Sequence, residues 1–226
     1  VLISLATEEL IRDELPENIS LRDMGERRLK DLIRPERIYQ LVIPNLPADF
    51  PPLKTLDAYR HNLPAQTTSF IGRAKEMTEI KQALTSSPSP SGRGEGVREH
   101  RLVTLTGSGG TGKTRLSLQV AADLLDQFPD GVWFIELAPL TNPDLIPRTI
   151  LSAFGVGEQE GNVANQLLLD LVLNKKLLLV LDNCEHLIEA SAKLVDTLLS
   201  HSPALKILAS SREALDVKGE MAWHVP

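Results

Sequence analysis

Eight consecutive residues carry the most specific chemical signal in the sequence. Residues 107–114 read Gly-Ser-Gly-Gly-Thr-Gly-Lys-Thr, which fills the spacing G-x-x-x-x-G-K-[ST] of a phosphate-binding loop. Glycines let successive backbone N–H groups turn toward one anion, because a positive φ costs them little. In such a loop the lysine reaches the β- and γ-phosphates and the last hydroxyl ligates Mg²⁺. The residues predicted to bind nucleotide are Gly107, Ser108, Gly109, Gly110, Thr111, Gly112, Lys113 and Thr114, and Thr114 is also a predicted metal ligand.

The residues on either side of the loop fit this prediction. Residues 101–106 have the β-branched, apolar character of a buried strand. Leu116, Val120, Leu124 and Phe128 then recur every four residues, as on one face of an amphipathic helix. A helix that starts at the loop directs its positive end at the phosphates. The alternative is a glycine-rich turn that binds nothing.

Three further side chains are candidates for the chemistry. Asp182 ends an apolar strand, where an acid holds Mg²⁺, usually through water; alternatively it caps the next helix. Glu185 is the nearest free carboxylate that could orient or deprotonate water, or it is an ordinary first-turn acid. Arg212 follows another apolar strand and could sense the γ-phosphate, or it is a solvated arginine beside Glu213.

The elements that would position these residues alternate along the chain. The pattern predicts strands at 101–106, 132–137, 177–181 and 205–210, and helices at 73–84, 113–128, 143–154, 163–174 and 185–200. This order predicts an α/β fold, a P-loop NTPase parallel sheet with helices on both faces. The Ser-, Pro- and Gly-rich segment at about 85–100 predicts a disordered insertion.

The first third of the chain has a different composition. Residues 1–46 mix one helical and two strand-like segments and are too few for an independent core, so we expect a small α+β remnant of a domain. Five prolines between residues 44 and 64 favour extended backbone. The predicted organisation is therefore residues 1–46, a Pro-rich linker at 47–66, and the nucleotide domain at 67–226.

The bulk composition restricts the partners. A net charge of −6 argues against a broad nucleic-acid surface on this fragment. The single cysteine, Cys184, excludes an internal disulfide and a cysteine-rich zinc site. The longest apolar run, 177–181, is too short to span a membrane. We therefore expect a cytoplasmic protein, and its first residues resemble the interior of a longer chain.

Four motifs in order resemble bacterial signalling ATPases of the STAND class, which are related to NB-ARC ATPases. They are TSFIGR at 68–73, the loop with its helix through 121, LVLDNCEHL at 179–187, and SSREAL at 210–215. The resemblance covers residues 67–226 and implies ATP or ADP as ligand. It also implies nucleotide contacts for Phe70, Gly72 and Arg73. The family often has an acid after that arginine, where this chain has Ala74. The chain stops near the family's fifth strand, so the lid domains are expected to be absent.

Residues 1–46 resemble the carboxyl end of a class III adenylate or guanylate cyclase domain, as found in cyclase–ATPase fusion regulators. The motifs are ATEELIRD at 6–13, SLRDMGERRLKDL at 20–32 and RPERIYQL at 34–41. The metal-binding aspartates of that family lie upstream, so no cyclase activity is expected from this fragment.

Three functions follow from these observations. The first is an ATP-binding, slowly hydrolysing switch in a signal-transduction or transcription regulator, with protein partners or self-association through other domains. The second is the regulatory ATPase part of a cyclase whose main activity is cyclic nucleotide synthesis. The third is another P-loop phosphotransferase or a motor.

Overall fold

The computed structural model describes residues 1–27, 35–50, 59–65, 70, 72–85, 100–157 and 162–226. Within it the chain forms two compact units. One comprises residues 1–59 and 65–69, and the other comprises residues 60–64 and 70–226. Most of the predicted insertion at 85–100 lies outside the described residues.

The first unit is a small α+β structure. Strands β1 (Leu2–Ser4), β2 (Ser20–Arg27) and β3 (Glu36–Val42) form an antiparallel sheet in the order β1-β3-β2. Helix α1 (Leu5–Ile11) is capped by Ser4, whose hydroxyl accepts the Thr7 N–H. Arg12 donates two hydrogen bonds to the buried Glu8 carboxylate, at 2.8 and 2.7 Å, and these bonds lower the pKa of Glu8.

The second unit is built on a five-stranded sheet whose strands all run parallel. In chain order they are β4 (Leu102–Thr106), β5 (Val132–Glu136), β6 (Leu178–Asp182), β7 (Lys206–Ser210) and β8 (Glu220–His224). Their order across the sheet is β5-β6-β7-β4-β8. The strands β4 and β7 are neighbours, and the connections that leave them run to opposite sides of the sheet, to β5 and to β8. In such folds ligands bind at the carboxyl ends of the strands at a point of this kind.

Helices cover both faces, as the alternating pattern predicted. Helices α4 (Ile146–Ala153), α5 (Asn162–Val172) and α6 (Ile188–His201) pack on one face, in a core that includes Leu179 and Ile207. Helices α2 (Ala74–Thr85) and α3 (Lys113–Asp123) contribute no residue to that core. Both helices contact β4, and α3 also contacts β6 and β7. They therefore lie on the opposite face. The parallel sheet is buried on both sides, which explains the continuous apolar runs of β6 and β7.

Several predicted boundaries were wrong in detail. The helices predicted at 113–128, 143–154 and 185–200 each overlap a short 3₁₀ turn, at Leu125–Gln127, Pro143–Leu145 and Cys184–His186. The pattern also gave no bounds for the fifth strand. Its sequence, Glu-Met-Ala-Trp-His, is only partly buried, so it lacks the apolar run that marks the inner strands.

Residues 60–64, inside the predicted linker, run along the outer edge of β5. The Arg60 carbonyl accepts the Val132 N–H at 3.0 Å. The side chain of Asn62 accepts the Phe134 N–H at 2.6 Å and donates to the Phe134 carbonyl at 2.8 Å. A Cβ on Gly131 would lie 2.7 Å from the Arg60 carbonyl oxygen, so this close approach requires glycine. The segment thereby pairs backbone groups that an edge strand otherwise exposes.

We expect Asn62→Ala to lower the free energy of unfolding by about 1–3 kcal/mol, because two backbone groups lose their partner. Urea denaturation would measure this change, and amide exchange at Phe134 should become faster. The matched control is Asn165→Ala, at an exposed position on α5. Equal stability of the two variants would show that the Asn62 contacts contribute nothing.

Candidate nucleotide-binding site

The loop at residues 107–112 joins β4 to α3 at the carboxyl end of the sheet. Three of its glycines have a positive φ: 145° at Gly107, 82° at Gly110 and 81° at Gly112. A Cβ on Gly107 would lie only 2.7 Å from the carbonyl oxygen of Val225, so the first position of the loop admits no side chain. Ser108, Gly109 and Gly110 are exposed, and Thr111 Oγ1 donates to the Ser108 carbonyl at 3.1 Å.

Lys113 is the first residue of α3, and its side chain folds back over the loop. The ammonium group donates to the carbonyls of Gly107 and Ser108, both at 2.8 Å, and the residue is only 7% exposed. An ammonium group has three N–H donors. Among the described residues two of them are used, so the group is held at the loop with a donor to spare.

Thr114 joins the start of α3 to the end of β6. Its hydroxyl lies 2.9 Å from both carboxylate oxygens of Asp182. Asp182 is 2% exposed, and its Oδ1 also accepts a hydrogen bond from Ser210 at the end of β7. The alternative role of Asp182 as a helix cap is wrong, since Asn183 occupies the cap position of the next turn.

Glu185 and Arg212 lie close together, a pairing that the sequence did not predict. Arg212 Nε is 3.6 Å from Glu185 Oε1. The Arg212 side chain is 69% exposed and that of Glu185 is 26% exposed. The second carboxylate oxygen of Glu185 is buried without a hydrogen-bond partner among the described residues. A carboxylate oxygen without a partner keeps its full capacity to accept a hydrogen bond.

Phe70, Gly72 and Arg73 lie before α2, and two of them contact neighbours of the loop. The guanidinium of Arg115 is 5.9 Å from the centre of the Phe70 ring. Arg73 has φ 58° and donates to the Pro226 carbonyl at 3.1 Å, while its Nη1 is buried without a partner among the described residues. Gly72 has φ 86° and is exposed. Phe70 thus lies near Arg115, which directly follows the loop, and Arg73 contacts the residue after Val225, whose carbonyl oxygen lies close to Gly107.

Cys184 and His186 follow Asp182 but take no part in this arrangement. Burial raises the pKa of the Cys184 thiol to about 12, so the reactive thiolate is suppressed. His186 is exposed and pairs through Nε2 with the Leu140 carbonyl at 2.9 Å.

These donors suit a magnesium nucleotide. A hydroxyl and a carboxylate, those of Thr114 and Asp182, are the oxygen ligands that Mg²⁺ prefers. The exposed glycines leave the loop amides accessible to an anion, and nothing lies within 4 Å of a Cβ built on Gly109, Gly110 or Gly112. The N-terminus of α3 adds the positive end of a helix dipole.

The sheet order and this loop define the P-loop NTPase fold. The sequence profile of the AAA domain matches residues 97–215, which are 119 of the 226 residues. The chain therefore belongs to the AAA domain family and contains an AAA-type P-loop ATPase domain.

Two relatives are mycobacterial. An uncharacterised protein of Mycobacterium tuberculosis is 38% identical over 167 residues, which cover 74% of this chain and 39% of that protein. A putative HTH-type transcriptional regulator of the same species is 44% identical over 130 residues, covering 58% of this chain and 14% of the regulator. The chain thus spans about two fifths of the length of the first of these relatives.

Two solved structures overlap part of the chain at low sequence identity. One is a STAND protein with a tetratricopeptide repeat sensor from Pyrococcus horikoshii, with TM-score 0.43, 16% identity, and coverage of 69% of this chain and 23% of that one. The other is Cdc6p from Pyrobaculum aerophilum, with TM-score 0.43, 16% identity, and coverage of 71% and 46%.

Two features are absent from the described ranges. No helix there is long and apolar enough to cross a membrane. No group of three or more His, Cys, Asp or Glu residues there could hold a metal ion. A magnesium ion at Asp182 would therefore depend on one carboxylate, the Thr114 hydroxyl, water and the phosphates themselves.

Proposed function

We propose that this domain binds ATP with Mg²⁺, hydrolyses it slowly, and acts as the nucleotide switch of a multidomain signal-transduction or transcription regulator. The observation that carries the proposal is the contact between Thr114 and Asp182, at 2.9 Å, beside a glycine-rich loop that holds Lys113. Membership of the AAA domain family supports nucleotide use. The mycobacterial transcriptional regulator supports the regulatory context.

In this proposal each group has one task. The loop amides and Lys113 bind the β- and γ-phosphates, because backbone N–H groups and an ammonium offer charge-assisted hydrogen bonds. Thr114 and Asp182 hold Mg²⁺, which would offset phosphate charge when bound. Phe70, Gly72 and Arg73 contribute to the nucleotide pocket before α2. Glu185 accepts a hydrogen bond from the attacking water through its buried, unpaired oxygen.

Arg212 would distinguish ATP from ADP. Its guanidinium is mostly exposed and is paired at 3.6 Å with Glu185, so it is positioned beside the group that would orient water. A γ-phosphate would attract the guanidinium more strongly than this single carboxylate contact does. A ligand shifts a conformational equilibrium only through contacts that differ between states, and the γ-phosphate supplies such a difference.

We expect Arg212→Ala to weaken ATP affinity by about tenfold and to leave ADP affinity unchanged, so that the gap between the two narrows. Calorimetric titration with each nucleotide in Mg²⁺ measures both affinities. The control is Lys218→Ala, which removes an exposed cation in the turn that precedes β8. If the ratio of ATP affinity to ADP affinity is the same in Arg212→Ala and in the wild type, Arg212 is not the sensor. Equal affinities for ATP and ADP in the wild type would contradict the proposed switch.

For residues 1–46 we propose the carboxyl end of a class III cyclase domain, followed by a linker at about 47–66. The small antiparallel sheet and helix of the first unit are compatible with an α+β remnant. This would make the protein a cyclase–ATPase fusion regulator. Formation of cyclic nucleotide by the full-length protein, compared with the 226-residue chain, tests the link.

A further inference from the structure

Ser210, the last residue of β7, has no role in the function proposed above, but it contacts the predicted metal ligand Asp182. Its hydroxyl donates to Asp182 Oδ1 and accepts the Asn183 N–H at 3.0 Å. Ser210 is fully buried, with no exposed area. One side chain on β7 therefore contacts both the carboxylate and the backbone at the end of the neighbouring strand, β6.

One of the two hydrogen bonds holds a side chain, and the other holds the backbone. The bond to Oδ1, together with the Thr114 hydroxyl on the other side, holds the Asp182 carboxylate in one orientation. The bond from the Asn183 N–H stabilises a left-handed residue, since Asn183 has φ 61°. That conformation turns the chain out of β6 and into the 3₁₀ turn that carries Glu185. A serine hydroxyl has one donor and two acceptor lone pairs, so it can make both bonds at once.

Ser211, the next residue, shows that this arrangement is specific to one position. It is equally buried, but its hydroxyl has no hydrogen-bond partner among the described residues. The two serines are neighbours in the chain and equally buried, but only the Ser210 hydroxyl has hydrogen-bond partners among the described residues.

We propose that Ser210 is a positioning residue for the metal site: it orients Asp182 toward Thr114 and joins the end of β7, two residues before Arg212, to the end of β6 at Asp182. This inference rests on the proposed nucleotide site. Groups that orient a metal ligand typically change metal affinity by about ten- to a hundredfold when removed. The effect of Ser210 should therefore fall on the Mg²⁺-dependent part of nucleotide binding.

The test is calorimetric titration of the 226-residue chain with ATP, first in EDTA and then at a series of Mg²⁺ concentrations. In the wild type, ATP affinity should increase as Mg²⁺ is added. For Ser210→Ala, half of this increase should require a Mg²⁺ concentration about ten- to a hundredfold higher. We expect ATP affinity in EDTA to stay within about twofold of the wild type. Ser211→Ala is the matched control and should behave as the wild type in both conditions.

Ser210→Cys provides a second variant of nearly the same size if alanine at this buried position prevents folding. A thiol is a weak donor and acceptor, so the Mg²⁺ requirement should rise in this variant too. Amide exchange at Asn183 without nucleotide should become faster in both variants, which tests the backbone contact separately.

Three results would overturn the inference. The first is a wild-type Mg²⁺ requirement in Ser210→Ala. The second is an equal loss of ATP affinity with and without Mg²⁺, which would indicate a general effect on the fold. In both cases the wild type still binds ATP, so the proposed function stands. The third is a wild type that binds no ATP under any condition, which overturns the proposed function and this inference together.

Discussion

Lys113→Ala is expected to lower the affinity for ATP with Mg²⁺ by about a hundredfold or more. The ammonium group is held at the loop by the carbonyls of Gly107 and Ser108, where it would meet the β- and γ-phosphates. A hydrogen bond to a charged group contributes about 1.5–3 kcal/mol, so an ammonium that exchanges one loop carbonyl for phosphate and also uses its third donor makes two such bonds, which correspond to a hundredfold or more. Isothermal titration calorimetry with ATP and Mg²⁺ measures the loss directly.

Two companion variants make the result specific. Lys113→Met keeps most of the side-chain volume at a position that is only 7% exposed, so it separates the charge from packing. Lys193→Ala removes an exposed cation on α6 and should bind like the wild type. If Lys113→Ala and Lys113→Met both fold and bind ATP with unchanged affinity, the loop is not the phosphate site.

The second large effect is expected on hydrolysis. Glu185→Gln should bind ATP with normal affinity and release phosphate about a hundredfold more slowly than the wild type. The reason is that an amide cannot accept the proton that a carboxylate accepts. Glutamine keeps the shape of the side chain and a carbonyl oxygen that can still pair with Arg212, which lies 3.6 Å away in the wild type. Phosphate release at saturating ATP provides the measurement.

Glu189→Gln serves as the comparison for this experiment. Glu189 is an exposed acid in the first turn of α6, so it reproduces the alternative role that the sequence allowed for Glu185. If Glu189→Gln turns over ATP like the wild type and Glu185→Gln is slow, Glu185 acts in catalysis and is not merely an acid at a helix terminus. Wild-type turnover in both would remove Glu185 from the mechanism.

The sequence predicted the inner part of the fold well because burial on both faces leaves a strong signal. Strands β6 and β7 are runs of five buried residues, and their predicted positions agree with the structure to within one residue. The loop was equally visible, since glycine, lysine and threonine at fixed spacing have one common explanation. Strand β8 was harder, because its side chains are only partly buried and its pattern resembles that of an exposed segment.

Contacts between strands could not be predicted from spacing alone. Ser210 and Asp182 are 28 residues apart and meet only because β6 and β7 are neighbours in the sheet. For Arg212 the sequence offered a solvated position beside Glu213 or a role at the γ-phosphate, and neither alternative included the contact with Glu185 at 3.6 Å. Asn62 looked like part of a linker, because nothing in its own neighbourhood shows that it will hydrogen-bond to Phe134, 72 residues later.

The buried thiol of Cys184 has a practical consequence for following the proposed conformational change. Burial raises the pKa of this thiol, which suppresses the reactive thiolate at neutral pH, and the side chain is shielded from reagents as well. A maleimide dye would therefore react with a cysteine introduced on the surface and spare Cys184. The chain can carry one fluorophore at a chosen place without removal of its own cysteine.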